Sequence, residues 1–501
     1  MTPRRPGLKV PSYFTFSATR CVSGSPKTRT KEELLDIVGH YDDESAEDHF
    51  EFLRDIYRRG YPPPNGPNVT VSDAPSDVLY PSPYQTMGRG LETAKVQKLR
   101  ESLYIARVKP EIFDPQAAYD IYLSLPEPRM LYISGKLRHI LMSQMVQRPK
   151  NYKGMLRYFS LVSDIKECGL SLLTSEWNTA ISYASRYVGS VTESETEAAL
   201  KLWKEMSNVA GIKATDVTFN IMFDVASKSG NFALAEMIYK EMIGRGLTFN
   251  RYHHVSLIHF FGLKMDSGGV RAAYREMVET GEMIDSTVLN SVISALLRCG
   301  EEGDAERIYD KMKCTHPAAP IMTHRTYFKE RVVTKVLMMF AEIGRRNKPL
   351  RPVLQAQSSI TPTLQTYRIL INHYAHKVGD LQRVTKYLDE MQHFDVPLHG
   401  AIFLTLFKAF HEHGGFLGTE WTAERLDHVF ASFLSHYDRL DQGLYINKWM
   451  AMWILKAFAR SFRSKEKVVD VFIEIKIRAQ GGDVDIDEIE HVLHKTLKSI
   501  S

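Results

Sequence analysis

The chain has 501 residues, 64 basic against 59 acidic, a formal net charge of +5 and 44% hydrophobic residues. That charge is too mild to announce a nucleic-acid binder by itself, and the length is more than one globular core usually spans. Cys21, Cys168, Cys299 and Cys314 are scattered, with no CxxC pair, which argues against a disulfide framework or zinc site and for a reducing compartment. No apolar run approaches the ~18 residues that cross a bilayer, so a soluble chain is expected.

Residues 1–31 carry seven basic residues, Arg4, Arg5, Lys9, Arg20, Lys27, Arg29 and Lys31, with no acid before Glu32. The composition resembles a mitochondrial transit peptide. It also fits a disordered basic tail, since Pro3, Pro6 and Pro11 interrupt any amphipathic helix. Residues 32–90 are read as an acidic segment, with a helix expected over 46–58, followed by a linker whose prolines from Pro62 to Pro83 leave no core-forming run. Residues 91–173 hold helical pairs, 91–108 with 114–125 and 130–146 with 152–168, read as divergent or capping repeats.

Residues 174–320 carry the clearest pattern. Trp177-Asn178 opens a first helix, and Ala199, Leu202, Trp203 and Met206 form a second-helix stripe after an insertion through 188–196. From Asp216 onward the stripe Ala235, Ile238, Tyr239, Met242 returns 35 residues later as Val270, Ala273, Tyr274, Met277, and again as Ala305, Ile308, Tyr309, Met312. Spacing i, i+3, i+4, i+7 is the face an amphipathic helix buries. Asn220 and Asn290, each inside an opening segment, stand two periods apart, 70 residues. One such helix pair buries too few large side chains to offset the entropy of ordering its backbone, so the pairs must stack, and a stack of helix pairs is an all-α solenoid.

Beyond this block, 321–363 is expected to form a divergent repeat from a strong helix over 322–344 and a weak partner over 348–357. Residues 364–480 regain the rhythm: Thr366-Tyr367 opens a unit with the stripe Val384, Tyr387, Leu388, Met391. Two looser pairs follow, over 401–433 and 449–475, and 481–501 is read as a capping helix.

Several signals are set aside. Asp483, Asp485 and Asp487 start like a calcium loop, but Glu488 and His494 stand where glycine and glutamate are required. His491 and His494 share a face without a third ligand, and His253, His254 and His259 read as surface or packing residues. No phosphate loop, nucleophile elbow or aspartate cluster is found, so no enzyme, metal or cofactor is expected.

Val217-Thr218-Phe219-Asn220, the segment from Ala235 through Tyr239 and Met242 to Gly246-Leu247, and the 35-residue period together resemble the pentatricopeptide repeat family. The resemblance is sharpest over 174–313. It implies a right-handed α-solenoid that binds single-stranded RNA at about one base per repeat, with first helices lining the binding face. It further implies base-reading pairs Asn178 with Thr215, Asn220 with Asn250, and Val255 with Asp285, together with Asn290 and Arg368, and a base-holding Val217. Lys228 and Arg298, eight residues beyond Asn220 and Asn290, are the implied phosphate contacts; cations ending a first helix are the other reading. For Asn178, Asn220 and Asn290 helix capping is the alternative. An amide both donates and accepts and so suits a base edge, whereas Val255 cannot hydrogen-bond one and Arg368 fits no familiar pairing.

The function expected is that of a mitochondrial matrix protein that occupies single-stranded RNA without catalysis, in transcript stability, processing or translation. The alternative is a protein-binding helical scaffold, such as a subunit associated with the mitochondrial ribosome or an assembly factor of a respiratory complex.

Overall fold

The structure is a computed structural model that describes residues 28–54, 93–108, 113–146, 152–185, 192–314, 327–394, 396–439, 443–479 and 486–500. Residues 1–27, which hold most of the expected transit segment, lie outside these. So do the proline-rich linker and 188–191 of the expected insertion. The rest of that insertion is helical from Glu193.

Helix pairs form as the stripes require. Helices are numbered α1 (Lys31–Val38), α2 (Ala46–Arg54), α3 (Thr93–Val108), α4 (Pro115–Leu123), α5 (Gly135–Gln144), α6 (Tyr152–Glu167), α7 (Thr174–Ala184), α8 (Glu193–Lys204), α9 (Asp216–Lys228), α10 (Phe232–Gly244), α11 (Arg251–Leu263), α12 (Ser267–Glu279), α13 (Ser286–Cys299) and α14 (Glu302–Lys313). They continue as α15 (Tyr327–Arg346), α16 (Arg351–Ala356), α17 (Leu364–Asn372), α18 (Leu381–His393), α19 (Gly400–His413), α20 (Ala423–Asp438), α21 (Lys448–Phe462), α22 (Lys465–Ala479) and α23 (Ile486–Lys498). The three stripes over α10, α12 and α14 are buried throughout. Between α9 and α10 the chain reverses through Gly230 at φ +78°, a left-handed turn where a Cβ would be strained, and Asn231 caps α10 by accepting from the Leu234 amide at 3.1 Å.

First helices pack on first helices. The row runs α3, α5, α7, α9, α11, α13, α17, α19, α21, α23, each touching the next, as nearest-neighbour stacking demands. Gly262 permits a close approach in it, since a Cβ there would fall 2.6 Å from that of Ala295 on α13.

Two features depart from the sequence reading. The segment 321–363, expected as one more repeat, does not enter the row: α17 packs directly on α13, and Tyr309 of α14 donates to Tyr367 of α17 at 3.2 Å. α15 and α16 instead stand beside the stack, where Leu337 and Ala341 pack with Met283 in a small cluster apart from the main core. Polar bonds to the preceding loop hold them: Gln355 bridges both backbone groups of Ile284, at 2.9 and 2.7 Å, and Arg345 pairs with Glu282 at 3.1 Å.

The acidic segment is the second departure, because it folds back onto the second helices. Thr30 and Glu33 form a capping box that starts α1. Tyr274 donates to the Leu34 carbonyl at 2.9 Å, Lys311 pairs with Asp36 at 2.8 Å, and the Ala46 amide donates to Glu276 at 2.9 Å. Phe50 enters the main core, its ring centroid 4.3 Å from Tyr239 and 4.9 Å from Phe260. Residues 28–54 therefore form a strap across α10, α12 and α14.

Candidate nucleic-acid interface

Each clear first helix places the residue two positions into the unit outward. Val217 and Tyr252 are 48% and 51% exposed, and Thr287, Ser175 and Gln365 are exposed at the same repeat place on α13, α7 and α17. Three residues further on, on the same helix face, stand Asn178, Asn220, Val255, Asn290 and Arg368. Stacking of the first helices aligns these pairs along one wall. Tyr252 was not singled out in the sequence, although its 35-residue spacing from Val217 marks it.

The asparagines differ in what they can offer. Asn178 is 8% exposed and accepts from the Thr218 hydroxyl of the next unit at 2.7 Å. Asn290 is 5% exposed, donates to the Thr363 hydroxyl at 3.3 Å, and keeps its carbonyl oxygen buried without a partner. Asn220 is half-buried, and its carbonyl oxygen lies 3.1 Å from Nδ1 of His253. Val255 is half-buried and Arg368 is exposed. Asn220 and Arg368 thus present polar groups to solvent directly, whereas Asn178 and Asn290 are covered by the hydroxyl of the neighbouring first helix.

Capping falls to the residue that ends the preceding unit. Thr215 forms a capping box with Thr218 at the start of α9. Asn250 accepts from the Tyr252 and His253 amides at 3.0 and 3.3 Å and donates to Asp216 at 3.0 Å. Asp285 accepts from the Thr287 and Val288 amides at 3.0 and 3.1 Å and also holds Arg251 in a buried ion pair. The caps thus sit on these three, five places before Asn220, Val255 and Asn290, and not on Asn220 and Asn290 themselves.

Lys228 and Arg298, two repeats apart in sequence, both act on the charge of His259. The Arg298 guanidinium lies 3.2 Å from the imidazole Nε2, and Lys228 pairs with Asp224 at 2.5 Å. Burial pushes His259 down to about 4, and the charges of Arg298 and Lys228 push the same way against Asp224. The imidazole is neutral at pH 7, and Arg298 stands against it. Among the described residues, the group of His, Cys, Asp and Glu side chains close enough to share a metal ion, Asp42, Glu44 and His49, lies on the strap instead of this wall.

The fold and the site define an all-α solenoid with a ladder of exposed side chains on its first helices. Residues 217–247 and 287–314 match the family model described as PPR repeat. They are the first and third of the three units at 35-residue spacing, and the middle one is more divergent. Among solved structures, the pentatricopeptide repeat protein PPR10 from maize is similar at 15% identity, over 79% of this chain and 55% of that one, with a TM-score of 0.34. The same protein in complex with an 18-nt psaJ RNA element is similar at 14% identity, over 92% and 61%, with a TM-score of 0.28. The chain thus spans between 55% and 61% of the length of these proteins. No curated protein matches it. No described helix is long and apolar enough to cross a membrane.

Proposed function

We propose that the chain is a mitochondrial, non-catalytic protein that binds single-stranded RNA along its first-helix wall and acts in transcript stability, processing or translation by occupying the strand. The carrying observation is the ladder Val217, Tyr252, Thr287, exposed at one repeat place on stacked helices, with Asn220 three residues beyond Val217 on the same helix face. Splayed bases stack on aromatic and aliphatic side chains, and cations follow the backbone. The basic residues before Glu32 support the organellar reading. The test is crosslinking and sequencing of RNA held by the protein in intact mitochondria, with Asn220→Ala/Tyr252→Ala as control. Loss of recovery supports the wall, and unchanged recovery overturns it.

The second reading is a protein-binding scaffold, for instance a ribosome-associated subunit or a respiratory-complex assembly factor. The cover over Asn178 and Asn290 favours it, since it leaves fewer polar groups for base edges. Recovery of defined protein partners with no crosslinked RNA would establish it.

A further inference from the structure

His49 of α2 is buried to 5% exposure and held by Asp266, whose carboxylate lies 3.1 Å from Nδ1. A carboxylate in that position holds a proton on Nδ1, and in the neutral ring leaves the lone pair on Nε2. That Nε2 has no hydrogen-bond partner. It points at two further carboxylates, Asp42 at 3.8 Å and Glu44 at 3.6 Å. A buried ring nitrogen without a hydrogen bond, aimed at two anions, calls for a positive charge there, supplied either by a proton on Nε2 or by a bound cation.

We propose that Asp42, Glu44 and His49 bind a divalent transition-metal ion of the zinc class, with water as a further ligand. The separations exceed an N–H···O bond but suit atoms around one ion, since tetrahedral ligands at about 2.0–2.1 Å from zinc lie roughly 3.3 Å apart. Imidazole with two carboxylates favours zinc or cobalt over the oxygen-preferring magnesium and calcium. The frame is fixed: Arg275 donates to the carbonyls of Asp42 and Glu44, and Asp266 caps α12 by accepting from the Gly269 amide at 3.0 Å. Arg271, the cation lining the same depression, has its guanidinium engaged by Glu301 and Asp304. Gly268 leaves the space, because a Cβ there would fall 2.6 Å from Cε1 of His49. With ligands from the strap and the orienting carboxylate from α12, the ion would pin residues 28–54 to the solenoid.

The test is calorimetric titration of the chelator-treated full chain with zinc chloride, with cobalt(II) as a spectroscopic probe of coordination. Expected are one equivalent per chain, loss of that equivalent in Asp42→Asn/Glu44→Gln and in Gly268→Ala, and a roughly 10- to 100-fold weaker affinity in Asp266→Asn. Metal should also slow proteolysis within residues 28–54. The two exposed carboxylates can be neutralised without disturbing the core, so a folded double variant that still binds one equivalent overturns the site. So does a wild-type chain that takes up no metal, which would leave His49 as a protonated latch.

Discussion

Nδ1 of His253 lies 3.1 Å from the carbonyl oxygen of Asn220 on the preceding first helix. Burial, reinforced by neighbouring His254, pushes the His253 imidazole well below its usual range, so it is neutral and its Nδ1–H donates. The Asn220 amide nitrogen, on a half-buried residue, is left to donate outward. We expect Asn220→Asp, which replaces those donors with an acceptor, to weaken RNA binding. Tyr252→Ala should cost about 1–3 kcal/mol per stacked base, roughly 5- to 150-fold in affinity, with Tyr252→Phe close to wild type. Fluorescence anisotropy on single-stranded RNA reads both, and an unchanged Tyr252→Ala would remove the tyrosine from the interface.

Salt dependence separates backbone contact from helix-end charge. If Lys228 and Arg298 each neutralise a phosphate, Lys228→Ala and Arg298→Ala will each lower the slope of log affinity against log salt by about 0.7. The neutral His259 beside Arg298 gives a second readout. Removing Arg298 withdraws a charge that holds His259 down, so its pKa should rise from about 4 but stay below 6.5, because burial remains the larger cause. Proton NMR titration of the imidazole follows this, and a fall on mutation would contradict the placement of Arg298 against it.

How much of this was legible depended on whether partners were local. Tyr239, Tyr274 and Tyr309 showed as core in the sequence because their helical stripe is a property of one segment, and all three are buried. What covers Asn178 and Asn290 was not legible, since Thr218 and Thr363 reach them only through stacking. The α15 stripe through Leu337 and Ala341 announced a helix without saying that it would pack on Met283, outside the row. α1 was missed because it is 8 residues long and is stabilised by contacts more than 200 positions away, although Thr30 and Glu33 carried the signature of its start.

Asp285 and Arg251 form a pair whose loss should be structural. The carboxylate caps α13 and meets a guanidinium 5% exposed on the preceding first helix. Asp285→Ala removes a cap worth about 1 kcal/mol and strands a buried cation, about 3–5 kcal/mol in all. Adding Arg251→Met should restore much of it. Hydrogen exchange is the right measurement, because repeat arrays open locally: protection should fall across 251–299. A loss confined to RNA affinity would instead make Asp285 a base reader.

Side-by-side packing of α15 and α16 makes another outcome expected. Leu337→Asp places a charge in the small cluster with Met283 and should loosen 327–356. The Tyr309–Tyr367 bond joins α14 to α17 independently of them, so exchange protection in α13 and α17 should persist while proteolysis within 327–356 accelerates. Loss of protection in α17 as well would show that these helices do belong to the stack.

Buried histidines set an acid limit. His254 is 1% exposed and burial lowers it to about 4 from 6.5. Above pH 6.5 both folded and unfolded chains leave it neutral, so it contributes no pH dependence. As pH falls from 6.5 to 4 the unfolded chain takes up the proton and the folded chain does not, so stability is lost over that window. The limit is on the order of 3 kcal/mol from this residue. His253 and His259, also depressed, act in the same direction. Urea unfolding at a series of pH values should therefore give a falling midpoint between pH 6.5 and 4, and His254→Gln should flatten the fall. Carboxylates titrate in both chains alike, so the difference between variant and wild type isolates the histidine, and parallel curves would mean that His254 takes up its proton in the folded state at the same pH as in the unfolded one.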